Sequence, residues 1–398
     1  MNPERLQELR DLYRSGLLDD VIPFWIRHGI DREHGGYFSA LDRDGSLLDS
    51  DKSVWVQGRF AWMLATLYNT VEKNPAWLEL AKHGLDFLDQ HGSDPSDGLM
   101  WFQLTSDGRP LRKRRYRFSE SFACLANAAY FQATGEQAHA EKAAVFFETF
   151  WKHWHDPSLA PGLPKFEPTR PAKSLGNPMI AINMAQTCRE AGIDGEWDTK
   201  IDACIDEIRS DFVHEDIECV METVGIDGRR IDHFNGRTLN PGHAIEAAWF
   251  ILQEANHRNK DAELLSLGTK MVDWMWKRGW DPEYGGILYF VDVNGKPVEE
   301  YWHDMKFGWP QNETIIATLL AHLLTGDEKY ADMHQQIHDW TYAQFPDSEF
   351  GEWYGYLHRD GRVSVPLKGN LWKGPFHLPR MQWKCWQLCE EAISTKPS

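Results

Sequence analysis

Two histidines stand at the starts of predicted helices, each three residues before a charged side chain. His243 follows the turn Asn240–Gly242 and precedes Glu246, and His377 precedes Arg380. Residues three apart lie on one face of a helix, so each charged group can reach its imidazole. The dipole at a helix N-terminus disfavours imidazolium, which predicts a neutral His243 able to accept a proton. The alternatives are a capping role for His243 and packing among aromatic side chains for His377.

Two other predicted helix starts contribute an arginine and a glutamate. Arg59 lies in the segment DKSVWVQGRFAW, where its apolar and aromatic neighbours indicate partial burial. A buried arginine needs an anionic or strongly polar partner. Glu313 follows Pro310, a residue suited to a first helical turn, in the segment GWPQNETIIATLL. The alternative for Glu313 is that its charge only favours the helix dipole.

Two histidines, two arginines and two glutamates at equivalent helix ends indicate proton transfer. The sequence has no GxxxxGK[ST] phosphate loop and no GxSxG nucleophile motif. Two neutral bases with cationic neighbours suit proton removal beside a carbonyl: one base takes the proton, the second returns one from the other face, and a cation stabilises the enediolate. We expect neither a metal nor a cofactor in this chemistry.

A recurring phrase shows how the chain could bring these helix starts together. GGYFSALDRDG, residues 35–45, predicts a strand from Tyr37 to Leu41 and an Asp-Gly turn. Related phrases close at Gly108, Gly228, Gly295 and Gly361, at intervals of 63, 120, 67 and 66 residues. The long interval predicts a copy without its turn near residue 168. Six units of about 65 residues would fill the chain, which favours a closed ring.

Helical periodicity lies between these phrases. An apolar stripe marks the first helix, and its members are Leu6, Leu9, Tyr13 and Leu17. Eleven more helices are predicted at 54–72, 76–92, 118–134, 138–154, 174–192, 197–212, 242–257, 260–278, 310–325, 327–345 and 376–394. If the last helix pairs with the first, the twelve make six pairs. The fold prediction is therefore all-α, an (α/α)6 barrel with short β-hairpins at one rim and a single domain over 1–398; two helical domains are the alternative.

The composition of the chain excludes some classes of binding partner. A net charge of −18 argues against nucleic acid and anionic membrane surfaces. No apolar run approaches the ~18 residues of a membrane span. The start of the chain does not read as a secretory signal, and six cysteines without a CxxC pair predict free thiols in the cytoplasm. The 19 tryptophans are typical of a carbohydrate pocket, unless most of them belong to the core.

Four longer phrases carry a resemblance to a known family. RTLNPGHAIEAAWF, WDPEYGGILYF, EFGEWYGYLHRDG and KGNLWKGPFHLPR resemble the N-acylglucosamine 2-epimerase family, whose wider relatives are cellobiose 2-epimerases and mannose isomerases. The resemblance implies the (α/α)6 barrel. It also implies that His243 and His377 are an acid/base pair, that Arg59 binds the open-chain sugar, and that a charged shell orients them. That shell comprises Glu246, Glu313 and Arg380, and the sugar-contacting residues implied with it are Trp55, Asn177, Trp309, Gln311 and Trp372.

The resemblance implies inversion of C2 of a monosaccharide aldose through a cis-enediolate. The partner would be a small-molecule sugar, with a homodimer possible. Related N-acylglucosamine epimerases read WWPH or WWVH where this chain reads GWPQ, Gly308 to Gln311, so the substituent at C2 is open between N-acetyl and hydroxyl. The rival functions are an aldose–ketose isomerase, a glycoside hydrolase using Glu246 and Glu313, and a non-catalytic binding protein.

Overall fold

The computed structural model describes residues 1–113, 117–156, 159 and 169–395. All twelve predicted helices are present, with two short additions, α2 and α9. In chain order the helices are α1 (Pro3–Ser15), α2 (Ile22–His28), α3 (Val54–Thr70), α4 (Pro75–His91), α5 (Phe118–Thr134), α6 (Gln137–His155), α7 (Gly176–Glu190), α8 (Trp197–Glu207), α9 (Phe234–Arg237), α10 (Pro241–His257), α11 (Ala262–Gly279), α12 (Gly308–Thr325), α13 (Glu328–Gln344) and α14 (His377–Thr395).

Six of these helices form an inner ring. Neighbours around the ring are α3, α5, α7, α10, α12 and α14 in that order. The ring closes between α14 and α3, where Trp62 packs against Phe376 and Trp383, and the Trp383 indole donates to the Thr70 hydroxyl at 2.9 Å. An outer helix packs on each inner one, and α1 covers α14. The predicted (α/α)6 barrel, including the pairing of the first helix with the last, is confirmed.

The two rings differ in burial. Every residue of α3 from Val54 to Leu67 is buried, whereas the outer helix α4 buries only part of its surface. An inner helix packs on all sides, and an outer helix needs only one apolar stripe. Within a pair, a short joint connects the inner helix to its outer partner. Gly135 and Gly326 take left-handed φ values of 73° at the ends of α5 and α12, a conformation that glycine adopts without strain.

Short antiparallel strands lie beside the N-terminal ends of the inner helices. They are β1 (Ala40–Leu41), β2 (Leu47–Asp49), β3 (Lys52–Ser53), β4 (Gln103–Leu104), β5 (Pro110–Arg112), β6 (Ala172–Ser174), β7 (Val213–His214), β8 (Cys219–Val220), β9 (Thr223–Gly225), β10 (Thr238–Leu239), β11 (Val291–Asp292), β12 (Lys306–Phe307), β13 (Tyr356–Leu357) and β14 (Val363–Val365). They pair as β1-β2, β3-β4-β5, β6-β9, β7-β8, β10-β11 and β12-β13-β14. Strands β3 and β12 lead directly into α3 and α12, and β10 is separated from α10 by one residue.

The strand predictions need three corrections. The strand expected from Tyr37 to Leu41 is only Ala40–Leu41, because Tyr37 bridges back to Ile30 instead. The phrase ending at Gly295 is not a hairpin, since β11 pairs with β10. The helix expected from residue 174 begins at Gly176 because the preceding residues form β6, paired with β9. The copy expected near residue 168 lies outside the described residues.

A repeated turn attaches the strands to the inner helices. Each of these turns begins with an aspartate, namely Asp31, Asp281 or Asp347. Each aspartate forms an ion pair with a buried lysine 21 to 25 residues later. The pairs are Lys52–Asp31 at 2.6 Å, Lys306–Asp281 at 3.0 Å and Lys368–Asp347 at 2.9 Å. A buried ion pair is favourable only when the geometry of both partners is good, so these pairs fix each turn relative to the segment that carries its lysine.

Within the described ranges no helix combines the length and the apolar character needed to cross a membrane.

A buried histidine in α13 should make the folded protein less stable in acid. His338 of α13 is 3% exposed and packs between Tyr13 and Tyr342. In the described part of the chain neither of its ring nitrogens has a hydrogen-bond partner. Burial lowers the pKa of His338 from 6.5 to about 4. Below pH 6.5 the unfolded chain therefore binds this proton and the folded protein does not, so stability present above pH 6.5 is lost as the pH falls toward 4.

Replacing His338 with phenylalanine is expected to remove this acid sensitivity. Between pH 7 and pH 4 the wild-type protein should lose roughly 3 kcal/mol more unfolding free energy than His338→Phe. Urea unfolding followed by tryptophan fluorescence measures the difference. His257→Phe, at an exposed site in the last turn of α10, is the control and should keep the wild-type pH dependence. Equal acid sensitivity of wild type and His338→Phe would contradict the prediction.

Candidate active site

The N-terminal turns of the inner helices converge on one group of polar side chains. Three members recur at a spacing of 64 residues, one per helix: Trp249 in α10, Glu313 in α12 and His377 in α14. They are also bonded to one another in that order. The ring therefore converts a repeat along the sequence into neighbouring groups in space.

Glu313 organises the side of the site that contains His377. Its Oε1 lies 2.7 Å from His377 Nδ1 and 2.7 Å from an Arg380 Nη2, and its Oε2 accepts from the Trp249 indole at 2.8 Å. Arg380 also contacts Glu246 through the same nitrogen. Glu313 is fully buried and Arg380 is nearly so. The predicted charged shell of Glu246, Glu313 and Arg380 thus lies around His377 as one ion network.

A second carboxylate, which sequence reasoning missed, holds His243. Glu222 lies between β8 and β9, and its two oxygens are 3.1 and 3.2 Å from His243 Nδ1. Asn240 caps the helix by accepting the His243 N–H, and its amide nitrogen is 3.1 Å from Nδ1. The one sequence signal for Glu222 is its place in CVMETVGIDG, the weakest of the repeated phrases.

Both imidazoles lie beside Trp309. The His243 ring centroid is 5.0 Å from the Trp309 ring and that of His377 is 5.5 Å away. The side chains are 30% and 19% exposed, so both are accessible. Each Nδ1 faces a carboxylate, and no other described residue bonds either Nε2. This geometry leaves one nitrogen of each ring free for proton transfer.

Arg59 is a buried cation without an anion. Its guanidinium lies over the rings of Phe122 at 4.1 Å and Phe376 at 4.8 Å, and Nη1 donates to the Trp372 carbonyl at 3.0 Å. Among the described residues no carboxylate pairs with it, and its Nε has no partner. Burial, with the Arg380 charge, lowers the pKa of Arg59 to about 9. A group in this state is suited to a ligand oxygen that carries negative charge.

The pKa values of the two histidines are shifted in opposite directions. Burial and the Arg380 charge hold the pKa of His377 well below its ordinary value. Burial also lowers the pKa of His243, but the charge and hydrogen bond of Glu222 outweigh it and the pKa is raised. The prediction that the helix dipole keeps His243 neutral is therefore wrong in direction, because it did not include Glu222. Burial raises the pKa of Glu313, and Arg380 opposes that rise.

Gln311 has a structural role that its sequence position did not reveal. It is fully buried; its Oε1 accepts from the Ile287 N–H at 2.7 Å, and its Nε2 donates to the Ile287 and Phe307 carbonyls at 2.8 and 3.1 Å. Gln57 bonds the Tyr37 backbone in the same way. Gln311 therefore ties α12 to the turn at Ile287 and has no free group for a sugar, which corrects the prediction that it binds one.

The glycine of GWPQ also lies away from the histidines. A Cβ on Gly308 would meet the Phe345 ring at 3.4 Å and the Tyr354 carbonyl at 3.6 Å. Neither Gly308 nor Gln311 faces the imidazoles. In this chain the residues at the two differing positions therefore make no direct contact with His243 or His377.

The remaining predicted sugar contacts are aromatic or amide groups at the edge of the site. Trp55 is buried, donates to the Ser119 hydroxyl at 3.2 Å and packs edge-on against Trp372 at 5.5 Å. Trp372 is 36% exposed, so one of its surfaces is available. Asn177 lies half-buried in the first turn of α7. Among the described residues, no side chain of the site is hydrogen-bonded to Asn177. Its predicted contact with a sugar therefore requires the ligand itself.

Three donors of the site have the spacing of a metal site. One oxygen each of Glu246 and Glu313 and one nitrogen of His377 lie within 4.8 Å of one another. Arg380 bonds both carboxylates. A guanidinium thus already supplies the positive charge that a cation would bring to these donors.

The fold, the site and the relatives together define a carbohydrate epimerase or isomerase. The chain belongs to the N-acylglucosamine 2-epimerase family, whose family model matches residues 36–377. The resemblance noted in the sequence is thereby confirmed.

Relatives and solved structures cover almost the whole chain. N-acylglucosamine 2-epimerase of Rattus norvegicus is 36% identical over 386 residues, which are 94% of this chain and 90% of that protein. The structure of cellobiose 2-epimerase from Bacillus thermoamylovorans B4167 matches with a TM-score of 0.84 at 20% identity, covering 97% of this chain and 100% of that one. A crystal structure of D-mannose isomerase matches with a TM-score of 0.81 at 19% identity, over 96% and 98% of the two chains. The two structures show the shared fold.

Proposed function

We propose that the protein inverts C2 of a monosaccharide aldose, with N-acetylglucosamine and N-acetylmannosamine as the favoured pair. The observation that carries the proposal is the pair of accessible imidazoles beside Trp309, each with Nδ1 at a carboxylate and Nε2 free. The N-acyl choice is supported by 36% identity to N-acylglucosamine 2-epimerase and by the position of Gly308 and Gln311 away from the histidines.

The reaction starts from the open-chain aldehyde. The free Nε2 of one histidine takes the proton of C2, and the electrons of the C–H bond form a C1=C2 double bond while O1 becomes negative. The Arg59 guanidinium stabilises this enediolate because it is buried and carries no counter-ion. The protonated Nε2 of the other histidine then gives its proton to the opposite face of C2, which restores the aldehyde. Solvent returns both imidazoles to their starting states.

The carboxylate arrangement argues against the glycoside hydrolase alternative. Hydrolysis needs one protonated and one free carboxyl group, about 5–9.5 Å apart. Oxygens of Glu246 and Glu313 lie within 4.8 Å of each other, and the same Arg380 nitrogen bonds both. Two carboxylates bridged by one guanidinium suit the support of a neighbouring base and not glycosidic acid catalysis.

The proposal is tested by product analysis in heavy water. Purified protein is incubated with N-acetylglucosamine, N-acetylmannosamine, glucose, mannose and cellobiose, and products are separated by chromatography and examined by NMR. We expect interconversion of the N-acetyl pair, with one deuterium at C2 of the product. A ketose from mannose or glucose would support the isomerase instead, and cleavage of cellobiose would support the hydrolase. No turnover of any of these sugars would overturn the proposal.

A further inference from the structure

The two carboxylates that hold the imidazoles have different surroundings. Glu313 shares its charge among His377, Arg380 and the Trp249 indole. Glu222 bonds only His243 through its carboxylate, and no lysine or arginine of the described structure pairs with it. The full negative charge of Glu222 therefore acts on one imidazole, whereas that of Glu313 is largely offset.

The Glu222 backbone is fixed from two sides. Its carbonyl accepts the Leu175 N–H at 3.0 Å, at the start of α7, and the preceding residue Met221 donates to the Phe212 carbonyl at 2.8 Å. The side chain is 18% exposed. A carboxylate on such a rigid joint is aimed by the fold, not by a flexible loop.

We propose that Glu222 is a positioning residue that keeps the Nδ1–H of His243 directed at its carboxylate and makes His243 the proton donor of the resting site, with His377 as the free base. This inference rests on the proposed function. A carboxylate at one ring nitrogen fixes the tautomer and stabilises the imidazolium that would form. The other nitrogen of His243 then presents its proton to the sugar.

The other charges near His243 do not account for the asymmetry. Besides Glu222, the acidic groups acting on it are Glu246 from α10 and Glu313 from α12. Both also favour a charged His243, but less than Glu222 does, and both are bonded to Arg380 from α14. The cations facing the same space are Arg380 and Arg59 from α3, and these disfavour imidazolium. Only Glu222 favours a charged His243 without an offsetting partner.

In the resting site the two histidines would then have different roles, with His243 as the acid and His377 as the base. When the C2 hydrogen of an epimer faces His377, neutral His377 can take that proton while His243 already holds the proton to be donated. This epimer therefore reacts directly. The other epimer needs His243 to lose and His377 to gain a proton first. The two directions should therefore differ in whether this proton redistribution must precede turnover, while their kcat/KM values keep one pH profile because the equilibrium between the epimers does not depend on pH.

The test compares Glu222→Gln, Glu222→Asp and a control, Glu215→Gln, whose exposed carboxylate pairs with Lys270 on the outer surface. Glutamine keeps the size of the side chain and an acceptor oxygen for the Nδ1–H, and removes only the charge. We expect kcat of Glu222→Gln to fall roughly tenfold to a hundredfold, with less than a threefold change in KM. The basic limb of the kcat/KM profile, which reports loss of the His243 proton, should move to lower pH, while the acidic limb from His377 stays.

Glu222→Asp should recover part of the rate and the wild-type basic limb, and Glu215→Gln should match the wild type. A basic limb that stays in place in Glu222→Gln would overturn the inference while leaving C2 inversion by the wild type intact. A second measurement does not need turnover: NMR titration of labelled histidines, with His243→Asn for assignment, should show His243 titrating at lower pH in Glu222→Gln than in wild type. If wild type turns over no sugar, the proposed function fails and the titration still tests Glu222.

Discussion

His377→Asn is expected to abolish net epimerisation while one epimer still exchanges its C2 hydrogen for deuterium. With two bases on opposite faces of C2, loss of His377 removes the base for one epimer and the acid for the other. His243 can still take the proton from the epimer that faces it, exchange with solvent and return deuterium to the same face. The rate of C2 inversion should fall roughly 10²- to 10⁴-fold in both directions.

Proton NMR in heavy water distinguishes this outcome from simple inactivation. In His377→Asn one N-acetyl sugar should lose its C2 proton signal without changing configuration, and in His243→Asn the other sugar should do so. His358→Asn, at an exposed site in the β13–β14 turn, is the control and should retain wild-type epimerisation. Inversion at the wild-type rate in either active-site variant, or exchange of the same epimer in both, would show that the two imidazoles do not serve opposite faces.

Asp281→Ala is expected to produce the largest loss of stability among single substitutions of the repeated turns. Asp281 and Lys306 are fully buried, and Arg359 also pairs with Asp281, at 2.8 Å. Burial lowers the pKa of Lys306 to about 8, and Asp281 opposes that shift. Without Asp281 the lysine is a buried charge with no counter-ion, and breaking such a pair costs about 3–5 kcal/mol.

Chemical unfolding of three variants measures this effect. Asp281→Ala should lose about 3–5 kcal/mol, and the double variant Asp281→Ala/Lys306→Met should recover much of the loss because no unpaired charge remains. Lys277→Ala, a substitution in the adjoining α11, breaks an exposed pair with Glu218 and should cost no more than about 1 kcal/mol. Equal losses for Asp281→Ala and Lys277→Ala would contradict a stabilising role for the buried pair.

Local patterns accounted for the helices and for most of the site. The inner helices were predictable because each is a long apolar segment that begins beside a strand or turn. The charged groups near their N-terminal ends, such as Arg59, Glu246 and Glu313, were identified because helix starts are where a barrel presents side chains. Those inferences need only neighbours within one or two turns of the chain.

Long-range contacts decided the rest. Gln311 stands two residues before the predicted catalytic Glu313, yet its amide bonds the backbone at Ile287, 24 residues away. Glu222 stands in a strand joint and reaches His243 from 21 positions earlier. The sequence by itself determined which segments are helices, how many pairs they form and which side chains begin them. Only the tertiary structure decided which carboxylate each imidazole meets, and hence the direction in which each imidazole pKa shifts, because a pKa depends on charges and burial contributed by distant segments.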